Sequence, residues 1–180
     1  QALLGWIMVA SGLNNENLYV NHLRLAIHFI AALGLLCYTL WFALSLLPSF
    51  QQKVNSASAR KLLYALLGIV IVQLMYGGFM AGLKAANIAP SWPSINGEWI
   101  PTAMGEKSGF LNNLINNPLT IHFIHRGMGY AIGVLVFVYF LRSLKQELPS
   151  LCKMLNAAML LLVVLQIALG ISALLFSTAP

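Results

Sequence analysis

Apolar residues in this chain come in long unbroken runs, without the three-and-four spacing that marks the single buried face of a soluble helix. Four such runs cover residues 22–47, 62–83, 119–141 and 154–176, and a shorter one, residues 2–13, opens the sequence. A helix needs about 20 apolar residues to cross the hydrocarbon of a bilayer. The four long runs reach that length. The first does not, so residues 1–13 read as the end of a helix whose beginning is missing. Polar stretches at 14–21, 48–60 and 85–118, and a turn around Pro149, separate the runs. The predicted fold is all-α: a polytopic transmembrane helical bundle of five helical segments.

Composition strengthens this picture. Hydrophobic residues make up 59% of the chain and charged residues 8%, with a mean hydropathy of +0.81, whereas a soluble domain carries about 25% charged residues. In a soluble protein the net charge of +6 would raise nucleic acid as a partner. Here the basic residues sort by position: Lys53, Arg60 and Lys61 fall between the second and third segments, and Arg142, Lys145 and Lys153 between the fourth and fifth, six of the ten in all. Both basic turns then lie on one side, the cytoplasmic face or its organellar equivalent. The bilayer, and no nucleic acid, is the partner this pattern predicts. The stretch 85–118 falls on the opposite, outer side, with turn formers throughout 90–101 and Trp92 and Trp99 at the level of the interface. Its length predicts a cap over an outer-facing site. Cys37 and Cys152 lack metal-ligand spacing and read as packing residues.

The chemistry concentrates in Thr120-Ile-His-Phe-Ile-His-Arg-Gly-Met-Gly-Tyr130. On one helix His122, His125 and Gly129 share a face. A flat ligand fits such a face: an imidazole can bind heme iron, Gly129 spares room for a porphyrin edge, and Arg126 offers a cation to a propionate. The plainer reading is a membrane histidine hydrogen-bonded to a neighbouring helix. The second segment echoes the arrangement, with Arg24 and His28 at i, i+4 and Ala32 one turn deeper. A further faint repeat, Gln-x-x-x-Gly, occurs at Gln1–Gly5, Gln73–Gly77 and Gln166–Gly170, always on odd-numbered segments, while the histidine sites fall on even-numbered ones. It predicts repeated helix pairs in which every second helix bears a ligand. His28 and His125 then belong to different halves and do not share an iron, whose two axial nitrogens would stand only about 4 Å apart. Gly78 and Gly82 form a G-x-x-x-G pair that reads as helix packing.

Together these residues resemble the heme A synthase family. The resemblance is carried by Gln73-x-x-x-Gly-Gly-x-x-Ala-Gly-Leu-Lys-Ala85, Ser91-Trp-Pro-Ser-x-Asn-Gly-x-Trp-Ile-Pro101 and His122-Phe-Ile-His-Arg-x-x-x-Tyr130. Gln1-x-x-x-Gly-Trp-x-Met-Val-x-Ser-Gly-Leu13 and Arg24-Leu-Ala-Ile-His28 add to it. It implies an eight-helix protein of two pseudo-symmetric halves, of which this chain corresponds to helices three to seven. Residues 1–50 would end the N-terminal half, 51–61 would be a cytoplasmic-side basic linker, and 62–180 most of the C-terminal half, with the outer loop 85–118.

By the same resemblance His28 and His125 are heme-iron axial ligands, one in each half, with Arg24, Arg126, Gly129 and His122 as further heme-binding residues. His122 stands where family members more usually have glutamine. The implied reaction oxidises the methyl group of heme O to the formyl group of heme A by successive hydroxylations, with heme b as cofactor and the family's catalytic glutamate outside this chain. Implied partners are heme O, an unidentified electron acceptor, heme O synthase and cytochrome oxidase assembly factors. The implied location is a bacterial plasma membrane or the mitochondrial inner membrane, with the heme sites near the outer face. The residues themselves leave two rivals open, a diheme membrane cytochrome that only transfers electrons and a non-heme helical transporter or scaffold.

Overall fold

A computed structural model describes residues 1–13, 18–47, 57–105 and 109–176. The helices are α1 (Ala2–Val9), α2 (His22–Ser45), α3 (Ala57–Gly82), α4 (Phe110–Asn116), α5 (Pro118–Leu144) and α6 (Ser150–Phe176). Four of them, α2, α3, α5 and α6, are long and apolar enough to cross a membrane. At 1.5 Å per residue each measures about 36–40 Å, more than the roughly 30 Å of hydrocarbon. The chain is an integral membrane protein, and the five expected segments are present.

The helix boundaries follow from local chemistry. Asn21 caps α2, its side-chain oxygen accepting from the backbone N–H groups of Leu23 and Arg24. Asn117 does the same for α5 through Leu119 and Thr120, and Pro118 supplies a preset φ in the first turn, where no N–H is needed. At the opposite ends the helices outrun their apolar stretches. Helix α3 begins at Ala57 instead of 62, α5 ends at Leu144 instead of 141, and α6 begins at Ser150 instead of 154. The hydrogen-bond ladder does not stop where the hydrocarbon does, because long basic side chains such as Arg60 and Arg142 reach water from a helix that is still regular. The basic linker expected at 51–61 lies partly outside the described residues.

Helix α3 is the centre of the bundle, packed on α2 on one side and on α5 on the other, with α1 against α2 and α6 against α5. His22, at the start of α2, faces Gly82 at the end of α3, and Leu66, near the start of α3, packs with Val136 near the end of α5. Successive long helices therefore run antiparallel. The α5–α6 turn, the end of α2 and the start of α3 lie at one end, the basic end, and the end of α3, helix α4 and the start of α5 lie at the other, the loop end.

Two buried clusters join the helices. Ala26, Tyr76, Phe79 and Ile121 tie α2, α3 and α5 at the loop end, and Leu66, Ile132 and Val136, flanked by Met159 and Val163, tie α3, α5 and α6 farther down. The expected glycine contact is present and close. A Cβ on Gly78 would lie 2.8 Å from Ala26 Cβ, and one on Gly82 would lie 2.5 Å from His22 Cβ. Elsewhere α2 and α6 expose large apolar side chains such as Trp41 and Leu162, as helices do when lipid is the solvent.

Two expectations change. Segment 85–118 is not plain loop: it contains a 3-10 turn (Ala85–Ile88), an isolated bridge between Ile95 and Glu98, and helix α4. Cys37 is exposed on α2 instead of buried in packing, while Cys152 is half-buried; both are free thiols.

Candidate functional site

Four histidines stand near the loop end, and the structure divides them into two kinds. His28 and His125 turn their rings toward a neighbouring helix. His22 and His122 serve the loop.

On α2, Arg24 and His28 lie one turn apart and face α1. The Gln1 side-chain nitrogen lies 3.2 Å from His28 Nδ1 and 3.4 Å from its Nε2, and also donates to the His28 carbonyl at 3.1 Å. A Cβ on Gly5 would lie 3.1 Å from the ring Cε1, so the glycine lets the ring edge press against the α1 backbone. Arg24 donates to the Ile7 carbonyl at 3.1 Å.

The same arrangement recurs between α3 and α5. The Gln73 side-chain nitrogen lies 3.4 Å from His125 Nε2, and a Cβ on Gly77 would lie 3.5 Å from the His125 Cε1. Each histidine thus has a glutamine at its ring nitrogens and, four residues further along the same helix, a glycine under its edge. The Gln-x-x-x-Gly repeat visible in the sequence is, at two of its three occurrences, a seat for an imidazole. The third, Gln166–Gly170 on α6, is exposed and has no histidine against it among the described residues. Because His28 is seated on α1 and His125 on α3, the two rings occupy separate helix pairs.

Gly129 leaves room beside the Gln73 side chain. A Cβ there would come within 3.4 Å of the Gln73 side-chain nitrogen, so the space it spares holds Gln73, which sits in a notch between His125 and Gly129 on α5.

His125 Nδ1 and Gln73 Oε1 are both buried and have no hydrogen-bond partner among the described residues. Leaving such an atom unpaired costs about 1–3 kcal/mol. A metal held by His125 would relieve both: with Gln73 beside Nε2, Nδ1 would be the ligating nitrogen, Nε2 would carry the proton, and a half-turn of the Gln73 carboxamide would present Oε1 to receive it. The donor chemistry therefore fits heme iron at His125.

His122 and Arg126 form a clamp instead. Arg126 Nε donates to His122 Nε2 at 2.8 Å, its Nη1 donates to the Ser94 carbonyl at 3.2 Å, and its Nη2 donates to the carbonyls of Ala89 and Ser91 at 3.3 and 2.7 Å. Four of the five guanidinium N–H groups are committed to these bonds, leaving one for a propionate. His122 is 2% exposed, and its Nε2 lone pair is taken by Arg126. The clamp bends the loop down along α5. Lower on the same helix Trp92 Nε1 donates to Tyr130 Oη at 3.0 Å, so Trp92 is anchored to a membrane helix as well as facing the interface. His22, which the sequence did not mark for any role, donates from Nε2 to the Ile115 carbonyl at 3.0 Å and sets its ring edge-on to Phe79, fixing α4 over α2.

The clamp carries a prediction. Hydrogen bonds to a charged donor contribute about 1.5–3 kcal/mol each and do not add in full, so Arg126→Ala should cost on the order of 2–4 kcal/mol and free segment 89–94. Thermal unfolding in detergent and protease cleavage within 89–94 would register this. Arg126→Lys should rescue little, since an ammonium cannot span three carbonyls and a ring nitrogen at once. A lysine variant as stable and as protease-resistant as the parent would contradict the clamp.

Residues 1–180 match the family described as cytochrome oxidase assembly protein. The chain belongs to this family. Among its relatives, the heme A synthase of Paracoccus denitrificans is 33% identical over 176 residues, which cover 95% of this chain and 46% of that protein. The heme A synthase of Flavobacterium johnsoniae is 34% identical over 179 residues, 98% of this chain and 52% of that protein. A bovine relative, also named heme A synthase, is 36% identical over 184 residues, 97% of this chain and 44% of that protein. The chain spans about half the length of the curated relatives it matches. No solved structure matches it. For this family member, the paired ring seats lie in the half-length stretch that the relatives share.

Proposed function

We propose that this chain forms the central helices of a heme A synthase, an oxidoreductase that converts the methyl group of heme O to the formyl group of heme A within the membrane. The observation that carries the reading is the duplicated seat: two imidazoles, each held by a glutamine and a glycine on a different neighbouring helix, in a chain whose relatives are named for this activity. In this reading His125 is an axial ligand to heme b and His28 faces the substrate, heme O. Heme b, when bound, supplies an iron that can take up and pass on an electron. The protein's share is to fix the two rings, to hold propionates with Arg24 and the remaining N–H of Arg126, and to cover the site with segment 85–117. Residues 1–50 and 62–180 belong to two pseudo-symmetric halves joined through the basic linker. An electron acceptor, heme O synthase and cytochrome oxidase assembly factors are the partners the reading calls for.

The loop end faces the outer side of a bacterial plasma membrane or of the mitochondrial inner membrane, as the basic residues at the opposite end support. In a Cys37- and Cys152-free background, a cysteine at Asn87 should be labelled from outside and one at Glu147 from inside. Labelling of both from the same side would overturn this orientation.

The activity is tested by chromatography of hemes extracted from the intact full-length protein supplied with heme O. Hydroxylated and formylated products are expected. Bound heme without either product would favour an electron-transferring cytochrome.

A further inference from the structure

Gln73 is set in a notch between His125 and Gly129, with its carboxamide beside the one ring nitrogen that faces α3. Its oxygen and the opposite ring nitrogen of His125 are both buried and unpartnered. Gln1 likewise brings its side-chain nitrogen to the His28 ring, nearest Nδ1, and its helix carries a glycine at the same offset against the ring edge. A glutamine used only for helix packing would not need to meet a histidine nitrogen twice, in two different helix pairs and at the same offset from a glycine.

We propose that Gln73 is a positioning residue for the His125 imidazole, and Gln1 its counterpart for His28: each carboxamide fixes the plane and tautomer of its ring and tunes the electron donation of the nitrogen that binds iron. This deepens the heme reading above and rests on it. The physical link is a hydrogen bond at the ring nitrogen that does not bind iron. An acceptor at the far N–H of a ligating imidazole gives the ring partial imidazolate character, makes it a stronger donor and favours the oxidised iron. An anionic acceptor in the same place does so more strongly, and an apolar group not at all.

Substitution at Gln73 therefore makes an ordered series. In the full-length protein, Gln73→Leu should raise the midpoint potential of the heme held by His125, and Gln73→Glu, which keeps the side chain's shape, should lower it, with the parent between them. The low-spin electron paramagnetic resonance signal should shift in Gln73→Leu because the ring plane is no longer fixed. Heme loss to an excess of apo-myoglobin should be about tenfold faster in Gln73→Leu, the lower end of what an outer-shell partner contributes to metal affinity. Gln1→Leu should leave the potential and the resonance signal of that same heme where they are, since Gln1 faces the other ring.

A role confined to packing would move stability but not the order of potentials. If Gln73→Leu misfolds, the shape-conserving Gln73→Glu still decides. A Gln73→Glu protein that retains heme with an unchanged or raised potential would overturn the inference. A parent protein that binds no heme at all would overturn the heme reading on which it depends, so the two failures are distinguishable.

Discussion

His125→Ala in the full-length protein is expected to lose most of its bound heme b, and with it all conversion of heme O. Without the imidazole, heme iron would lose the bond that His125 would supply. The porphyrin is then held only by apolar burial, by other ligands and by one free N–H on Arg126, the rest of that guanidinium being committed to His122 and to the loop. The vacated ring also leaves Gln73 with neither polar atom partnered, at about 1–3 kcal/mol for each. At equal expression, the absorbance of bound heme per polypeptide should therefore fall by about tenfold or more, as loss of a metal ligand exceeds the 10–100-fold typical of an outer-shell partner. Retention of a normal heme spectrum would remove His125 as a ligand.

The second large effect is mechanical. A methyl group on Gly82 would lie 2.5 Å from His22 Cβ and 2.7 Å from His22 Cα, and one on Gly78 would lie 2.9 Å from Ala26 Cα. Carbon atoms rest at about 3.5–4.0 Å. Because the opposing atoms belong to helix backbone or to its first side-chain carbon, no rotamer change relieves the clash, and α2 must move away from α3 by about an ångström. Overpacking of this kind costs about 1–3 kcal/mol per site. In lipid the loss is not offset by a hydrophobic drive between helices, whose association rests on close packing. Gly78→Ala/Gly82→Ala should lower the unfolding midpoint in detergent by several degrees and loosen Gln1–His28 relative to Gln73–His125. Gly68→Ala on the same helix, where nothing stands within 4 Å among the described residues, should be neutral or slightly stabilising. Equal behaviour of the two proteins would deny that these glycines set the distance between α2 and α3.

Consecutive glycines explain how one helix serves both neighbours. Successive residues on a helix point about 100° apart, so Gly77 meets His125 on α5 while Gly78 meets Ala26 on α2. The central helix thus couples the packing of the bundle to the seating of His125.

The transmembrane architecture was legible because unbroken apolar runs have one reading at this length. The alternation of basic and polar connections gave the helix directions. Helix α4 was not legible: Phe-Leu-Asn-Asn-Leu-Ile-Asn is too short for a period to declare itself, and asparagine favours turns as readily as caps. The histidine positions stood out by their rarity, their spacing and the arginines beside them, but that pattern does not show which groups each ring meets. What separates them is tertiary. His22 reaches Ile115, 93 residues away, and Arg126 reaches Ala89, 37 residues away, and no local pattern encodes either contact. Gln-x-x-x-Gly was visible as a repeat, but its meaning needed the facing ring. For Gly129 the sequence suggested room for a porphyrin edge, and the neighbour the fold brings there is the Gln73 side chain. His122, departing from the glutamine more usual in the resemblance, makes sense once Arg126 is seen to need an acceptor on the next turn.

The most direct measurement is chromatography of the hemes extracted from full-length His28→Ala, run beside His125→Ala and the parent protein at equal expression. With two separate sites of different duty, His28→Ala should retain heme b at close to the parent level while heme A and its hydroxylated precursor are absent. A His28→Ala protein that makes heme A at the parent rate, or that loses heme b as completely as His125→Ala, would contradict the account.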